Sequence, residues 1–358
     1  MKIGILTFHR ANNLGAVLQA SALLQYLQNY HGQTELIDFY PNNAAKRPGT
    51  LRKILSAVKR VALFPSMAAQ IKKEKRFAAY REKYYTLSGQ TLYGDEDIRQ
   101  AKLSYDVLIS GSDQIFNTNL TGDTAAYYLD FENRAKKISY ASSFGRSVLT
   151  EKEIQLIKEE LPKFSAISVR ENTAAEQIKR EAGLCVPVVV DPVFLLDKAQ
   201  WSNRCSKAIL QGGYIFVYSM ENSENLEIAV ATMQQSLGLP VIVVRGGGQP
   251  GRIFGKEDAT CGPEEFLRYI RDAALVITNS FHGTAFSILF EKQFLCVAHS
   301  TRNARLANLM QMIDRDDALI VNRCQAAAPQ DHIVDGWKAG EKMNMYIEQS
   351  KAYLQEQF

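Results

Sequence analysis

The sequence predicts an α/β fold in which two Rossmann-like domains face a cleft. Three observations predict it: short apolar runs alternate with stretches of helical periodicity, each run ends in a polar or glycine-bearing loop, and the pattern halts near residue 200 and starts again. Such alternation implies a largely parallel sheet with helices on both faces.

Residues 2–8 read as a strand, followed by the loop ANNLG, the helical pattern AVLQASALLQYLQNY and, after the His31-Gly32 break, a second strand, ELIDFY. This is a β-loop-α-β opening. YDVLISGSD, KKISYASSFG and KFSAISVREN each read as a strand running into a polar loop. CVPVVVDPVFLL reads as a buried strand ended by Pro192, and the polar stretch DKAQWSNRCSKAILQGG as a domain boundary. Beyond it come the strand YIFVYSM, a helical pattern over 221–237, the strand in LPVIVVRGGGQP, the helix PEEFLRYIRDA, the strand LVITNS, the helix GTAFSILFEK and the strand FLCV. The expected organisation is a first domain over 1–200 with a basic helical insertion at about 44–83, a second domain over 210–330, and a helix over 335–356 that packs back on the first domain.

The 358 residues are 46% hydrophobic and 22% charged, which excludes a disordered, collagenous or disulfide-stapled chain. No apolar run reaches the roughly 18 residues of a membrane helix, and MKIGILTFHR lacks the apolar length and cleavage region of a secretory signal. A cytoplasmic protein is expected. The five cysteines form no CxxC pair and the five histidines show no metal-binding spacing, so reduced thiols and no metal are expected. GxGxxG and the P-loop motif are both missing, which argues against a dinucleotide-dependent dehydrogenase and a P-loop kinase.

The net charge is only +4, yet residues 44–83 hold 12 basic and 2 acidic side chains. Within them, LRKILSAVKRVALF places Leu51, Leu55, Val58, Val61 and Ala62 close to one helical stripe, with Arg52, Lys53, Lys59 and Arg60 mostly elsewhere. A solvated surface helix, a helix held at the inner face of an anionic membrane, and a polyanion-binding helix all fit this pattern. No nucleic-acid motif accompanies it, and no nucleic-acid partner is expected.

In a fold of this class the chemistry collects at the carboxyl ends of the strands. His282 directly follows a predicted strand and precedes a helix led by Gly283, so helix-start amides with the Ser280 and Thr284 hydroxyls can receive a carboxylate or phosphate beside it. A helix start also disfavours the imidazolium, leaving His282 able to accept a proton; a histidine that ties strand to helix is the plainer reading. His299, after the next strand, is a second histidine that can assist. His9, after the first strand, suits a substrate contact or a loop hydrogen bond. Asn12, Asn13 and Gly15 lie where that strand enters its helix and suit either a ligand cradle or a cap and sharp turn. Ser112, Asp113 and Gln114 offer short polar groups to sugar hydroxyls, with Asp113 a proton acceptor or a turn cap. Arg170 and Arg245 each end a strand and suit an anion clamp or a salt bridge.

The blocks GILTFHRANNLGAVLQASALLQYL, GSDQIFN, SVREN, VVDPVFLL and above all ITNSFHGTAFSILFEKQF, in this order, resemble the polysaccharide pyruvyl transferase family over roughly residues 3–310. The resemblance implies a fold like the B-type glycosyltransferases and transfer of a pyruvyl group from phosphoenolpyruvate, as co-substrate, to a hydroxyl pair of a glycan or lipid-linked sugar, giving a ketal and phosphate. It makes His282 the catalytic acid or base and Arg170 the donor clamp, and it implies a cytoplasmic bacterial enzyme of cell-surface polysaccharide synthesis with no separate cofactor. Several characterised members read Arg-Leu-His where this chain reads Ser280-Phe281-His282, so the positive charge falls to Arg170, Arg245 or Arg302, or the donor is a different molecule. A nucleotide-sugar-dependent glycosyltransferase and a non-catalytic glycan-binding protein are the alternatives the same residues allow.

Overall fold

In the computed structural model, which describes residues 1–41, 65–122, 124–131, 134–207, 213–247, 252–300 and 303–358, the apolar run after Lys2 becomes strand β1 (Ile3–Leu6), buried along its whole length. Helix α1 (Leu14–Tyr30) follows. It is buried over all but its last turn, as a helix apolar on every side must be. Two of its interior polar groups find partners beyond the helix: Gln19 donates to the Thr7 hydroxyl at 3.0 Å, and the Ser21 and Tyr80 hydroxyls are 2.9 Å apart.

The chain divides into two units, one comprising Met1–Asn12, Ala16–Pro192 and Gln357–Phe358, the other Asn13–Gly15 and Val193–Glu356. The first contains β1, β2 (Thr34–Leu36), the short pair β3 (Phe39–Tyr40) and β4 (Leu92–Tyr93), β5 (Val107–Ser110), β6 (Lys136–Ser142) and β7 (Ala166–Val169). Five of these form a parallel sheet in the order β2-β1-β5-β6-β7, with Ile3 opposite Val107. ELIDFY breaks into β2 and β3 because Asp38 turns inward between them. The stretch read above as an interfacial helix, 51–64, lies outside the described residues; the basic segment continues in α2 (Pro65–Tyr84). Helices α3 (Gly94–Gln100), α4 (Thr118–Thr121), α5 (Glu151–Glu160) and α6 (Asn172–Ala182) complete the unit. A Thr150–Glu153 capping box starts α5, and Gly183 at φ 70° ends α6 in the left-handed conformation that glycine supplies without steric cost.

The expected strand CVPVVVDPVFLL is corrected. Only Val188 bridges, to Val169, and a 3-10 turn over Pro192–Leu195 follows. Pro187 and Pro192 remove two ladder donors, and the buried Asp191 between them is drawn to Arg170.

In the second unit come α7 (Lys198–Ser202), β8 (Ile215–Ser219), α8 (Glu224–Leu237), β9 (Val241–Arg245), β10 (Lys256–Glu257), α9 (Pro263–Asp272), β11 (Leu275–Thr278), α10 (Phe281–Leu289), β12 (Gln293–Val297), α11 (Ala304–Met312), β13 (Leu319–Ile320), α12 (Arg323–Ala327), β14 (Val334–Asp335) and α13 (Gly336–Gln355). The sheet order is β10-β9-β8-β11-β12-β13, all parallel, with β14 antiparallel on β12. Helix α13 packs on α10 and α11. Among the described residues no helix is long and apolar enough to cross a membrane.

Both sheets reverse their winding once, between β1 and β5 and between β8 and β11. At such a reversal the flanking loops part and leave a crevice at the strand carboxyl ends. The fold is α/β of the Rossmann-like, B-type glycosyltransferase kind.

Candidate active site

In the second unit the loops after β8, β11 and β12 are stitched together at the reversal. Asn279, directly after β11, accepts from the Met220 N–H at 2.7 Å and donates to the Glu221 carbonyl at 3.0 Å. The Glu221 carboxylate accepts from the Ser300 N–H and, at 2.7 Å, from its hydroxyl, and lies 3.4 Å from His299 Nδ1. Arg245, at the end of β9, donates to Glu257 at 3.2 Å and to Asn222 at 3.0 Å. Gly246 comes so close to the β8 loop that a Cβ there would stand 2.2 Å from Met220 Sδ.

Helix α10 begins in the middle of this edge. It starts at Phe281, two residues earlier than the sequence reading, because Ser280 takes an extended conformation and its hydroxyl accepts from Gly283 N–H at 3.5 Å. His282 therefore sits in the first turn. The Thr284 hydroxyl donates to the Ser280 carbonyl at 3.1 Å and lies 3.4 Å from Cys296 Sγ, so both hydroxyls expected to meet an anion are engaged in the helix start. Burial pushes the Cys296 thiol up to about 12, which keeps it protonated and unreactive at neutral pH. Gly283 is required: a Cβ would lie 2.4 Å from the Thr278 hydroxyl.

His282 is 7% exposed. Asn13–Gly15 group with this unit, and Gly15 abuts the imidazole so closely that a Cβ would lie 2.1 Å from Nδ1. The structure thus brings Gly15, His282, Ser280, Gly283 and Thr284 into one place. A histidine buried at the positive end of a helix can exchange a proton with a bound group while the helix dipole favours that group's negative charge.

The other predicted residues belong to the first unit. His9 is buried, with Nδ1 3.0 Å from the Thr7 carbonyl and Nε2 3.4 Å from Asp38. Burial opposes the charge on Asp38, but hydrogen bonds from His9, Arg10 and Thr91 outweigh it and hold the carboxyl well below the usual range. Asn12 accepts from Arg81, whose guanidinium also donates to the carbonyls of His9 at 3.1 Å and Arg10 at 3.0 Å. Ser112 donates to the Ala141 carbonyl at 2.9 Å, and Gln114 packs against Gly145, where a Cβ would lie 2.0 Å from its Oε1. Asp113 adopts φ 75°, a left-handed conformation uncommon outside glycine, and accepts from Arg170 at 3.3 Å. Arg170 is buried between Asp113 and Asp191; burial opposes its charge, but Asp191, Asp113 and Glu171 outweigh it and raise its pKa.

Sequence reasoning passed over Asn279 and Glu221 and counted Arg81 only as part of a basic run. The first two carry a readable signal, a polar side chain just past the end of a buried strand; Arg81 carries none, because its partners lie about 70 residues earlier. Arg302 lies outside the described residues. Among the described residues no group of three or more His, Cys, Asp or Glu side chains is placed to hold a metal ion.

A family model described as polysaccharide pyruvyl transferase matches residues 13–301. No curated protein matches the chain. Among solved structures, UDP-GlcNAc 2-epimerase from Methanocaldococcus jannaschii, in complex with UDP-GlcNAc and UDP, is similar over 98% of this chain and 100% of that one, at 13% identity and a TM-score of 0.51. Alr3699/HepE from Anabaena, in complex with UDP and glucose, is similar over 100% and 99%, at 10% identity and a TM-score of 0.52.

These likenesses correct the reaction expected from the resemblance. Pyruvyl transfer, phosphoenolpyruvate as co-substrate and partner, and the pyruvyltransferase class of enzyme are therefore not carried further. Among the described residues, Arg170 is neutralised by two buried carboxylates and Arg245 is held by Glu257 and Asn222, so neither is the anion clamp that the resemblance implied.

Proposed function

This chain belongs to the polysaccharide pyruvyl transferase family, and from that premise we propose that it has the family's sugar-directed role with a different donor: a nucleotide-sugar-dependent glycosyltransferase acting on a glycan hydroxyl. One fold supports many reactions, so membership leaves the donor to be argued from the site. The carrying observation is the strand-end site of the second unit, where the first turn of α10 with His282 meets the Asn279–Glu221 loop at the sheet reversal. That arrangement suits a diphosphate. The positive end of the α10 dipole favours the charge that grows on the leaving diphosphate as the glycosyl bond breaks, and His282 serves as the acid or base that moves a proton at that bond. Glu221, Asn222 and Asn279 are the polar side chains of that edge, the residue types that meet the hydroxyls of a sugar or ribose. The two structures of like fold that hold UDP support this choice of donor.

The test is a thermal-shift and calorimetric comparison of UDP-, GDP- and CMP-sugars with phosphoenolpyruvate, on the wild type and on His282→Gln, followed by mass spectrometry with a pooled glycan acceptor. The expected result is binding of a nucleotide sugar and a hexose-sized mass gain, with turnover abolished in the variant. Stabilisation by phosphoenolpyruvate alone would refute the proposal. Conversion of the nucleotide sugar without any acceptor would replace transfer by epimerisation.

A further inference from the structure

We propose that the second unit carries a separate, non-catalytic saccharide-binding site between α13 and the last turn of α10. A cavity of about 270 Å³ lies there, and two residues that line it depart from what their helices favour. Glu291 has φ 57°, the left-handed position just past a helix where glycine or asparagine is the usual choice. Its backbone is held there by the bond from its N–H to the Ile288 carbonyl at 2.9 Å and from Lys292 N–H to the Ser287 carbonyl at 2.8 Å. Gly340 stands inside the 20-residue α13, where glycine weakens a helix, yet a Cβ would find its nearest neighbour, the Ile288 carbonyl, at an ordinary 3.8 Å. Gly336 differs, since a Cβ there would meet the Lys292 carbonyl at 2.3 Å. The fold thus requires Gly336 but not Gly340, and the Glu291 carboxylate pairs with Lys198 at the cavity wall. Gly340 leaves room in the cavity that a larger side chain would fill, and the Glu291–Lys198 pair borders the same room.

The lining names the ligand class. Buried Leu196, Ile288 and Met343 meet Trp337, which is 53% exposed, while Glu341 and Asn344 follow Trp337 on one face of α13. A sugar ring has an apolar C–H face for an indole and a rim of hydroxyls for carboxylates and amides. An anion would be repelled, because Asp197, Glu291, Glu341 and Glu348 outnumber Lys198 and Lys351. The ligand is therefore a neutral or N-acetylated oligosaccharide, and the volume admits one or two rings. Helix α10 has nine residues, about 13 Å from its His282 turn to its Glu291 end, so this site lies away from the strand-end chemistry. It does not depend on the donor reading.

Trp337 has one companion, Trp201, which is fully buried, so acrylamide quenching of tryptophan emission reports Trp337. The full chain would be titrated with chitotriose and maltotriose. Saturable protection from quenching by at least one is expected, with Kd at least tenfold weaker in Gly340→Leu, which fills the cavity. Glu291→Gly should also weaken binding at least tenfold while melting no lower than the wild type, which separates a ligand role from a folding role. Protection by neither saccharide, protection that survives Gly340→Leu, full binding by Glu291→Gly, or protection by dodecanoate alone would each overturn the proposal. Nucleotide-sugar binding measured on the same variants should be unchanged, which keeps this test apart from that of the donor.

Discussion

Gly15→Ala isolates the placement of His282 from the rest of the fold. The added Cβ would stand 2.1 Å from Nδ1, 2.4 Å from Cε1 and 2.7 Å from Cγ of the imidazole. Ordinary contact begins near 3.4 Å, so the ring must withdraw by roughly 1.3 Å. The backbone of α10 is pinned by the Ser280 cap and by the bond from Thr284 N–H to the Ser280 carbonyl at 3.0 Å, so the side chain takes up the movement. Leaving its rotamer costs about 0.5–1.5 kcal/mol, and alanine within α1 returns up to about 1 kcal/mol over glycine. Net stability should change by no more than about 1.5 kcal/mol. A misplacement of this size at a reacting group costs about a hundredfold in rate. The assay pairs nucleotide-sugar turnover and urea unfolding with the His282 imidazole resonance in two-dimensional NMR, assigned by its loss in His282→Gln. Gly32→Ala, with no atom within 4 Å of its added Cβ, is the control. An unmoved His282 resonance together with turnover within twofold of wild type would refute the geometry.

Two further outcomes follow from the first unit. Asp191→Ala strips a buried carboxylate from Arg170, whose side chain is 1% exposed, and should cost about 3–5 kcal/mol in urea unfolding; adding Arg170→Met should recover part of that loss, and a single variant as stable as wild type would refute the buried-triad reading. Asp38 keeps its charge in the folded state far below the pH near 4 at which the unfolded chain takes up the proton, so its contribution is complete above about pH 5 and shrinks as pH falls. Stability profiles from pH 7 to pH 3 should therefore fall less steeply for Asp38→Asn than for wild type, and parallel profiles would count against the network.

What was legible in the sequence and what was not divides along the range of the interactions. β1, β5, β8 and β11 were readable because a strand buried on both faces is apolar throughout, and His282 was placed correctly past a strand for the same reason. The start of α10 was misjudged because Gly283 looks like a helix leader, whereas Ser280, a cap by residue type, sets the boundary. Strand order was not legible. The reversals between β1 and β5 and between β8 and β11 arise from pairings across tens of residues, and they alone determine which loops share an edge. Arg170 shows the consequence: its position at a strand end suggests an anion clamp, but its partner Asp191 lies in a run of valines that reads as a strand until two prolines break it. Glu291 and Gly340 were illegible for the opposite reason. Each looks ordinary in the sequence, and only the backbone angle of one and the empty space beside the other show a local cost, with both of those costs falling on one cavity beside α13.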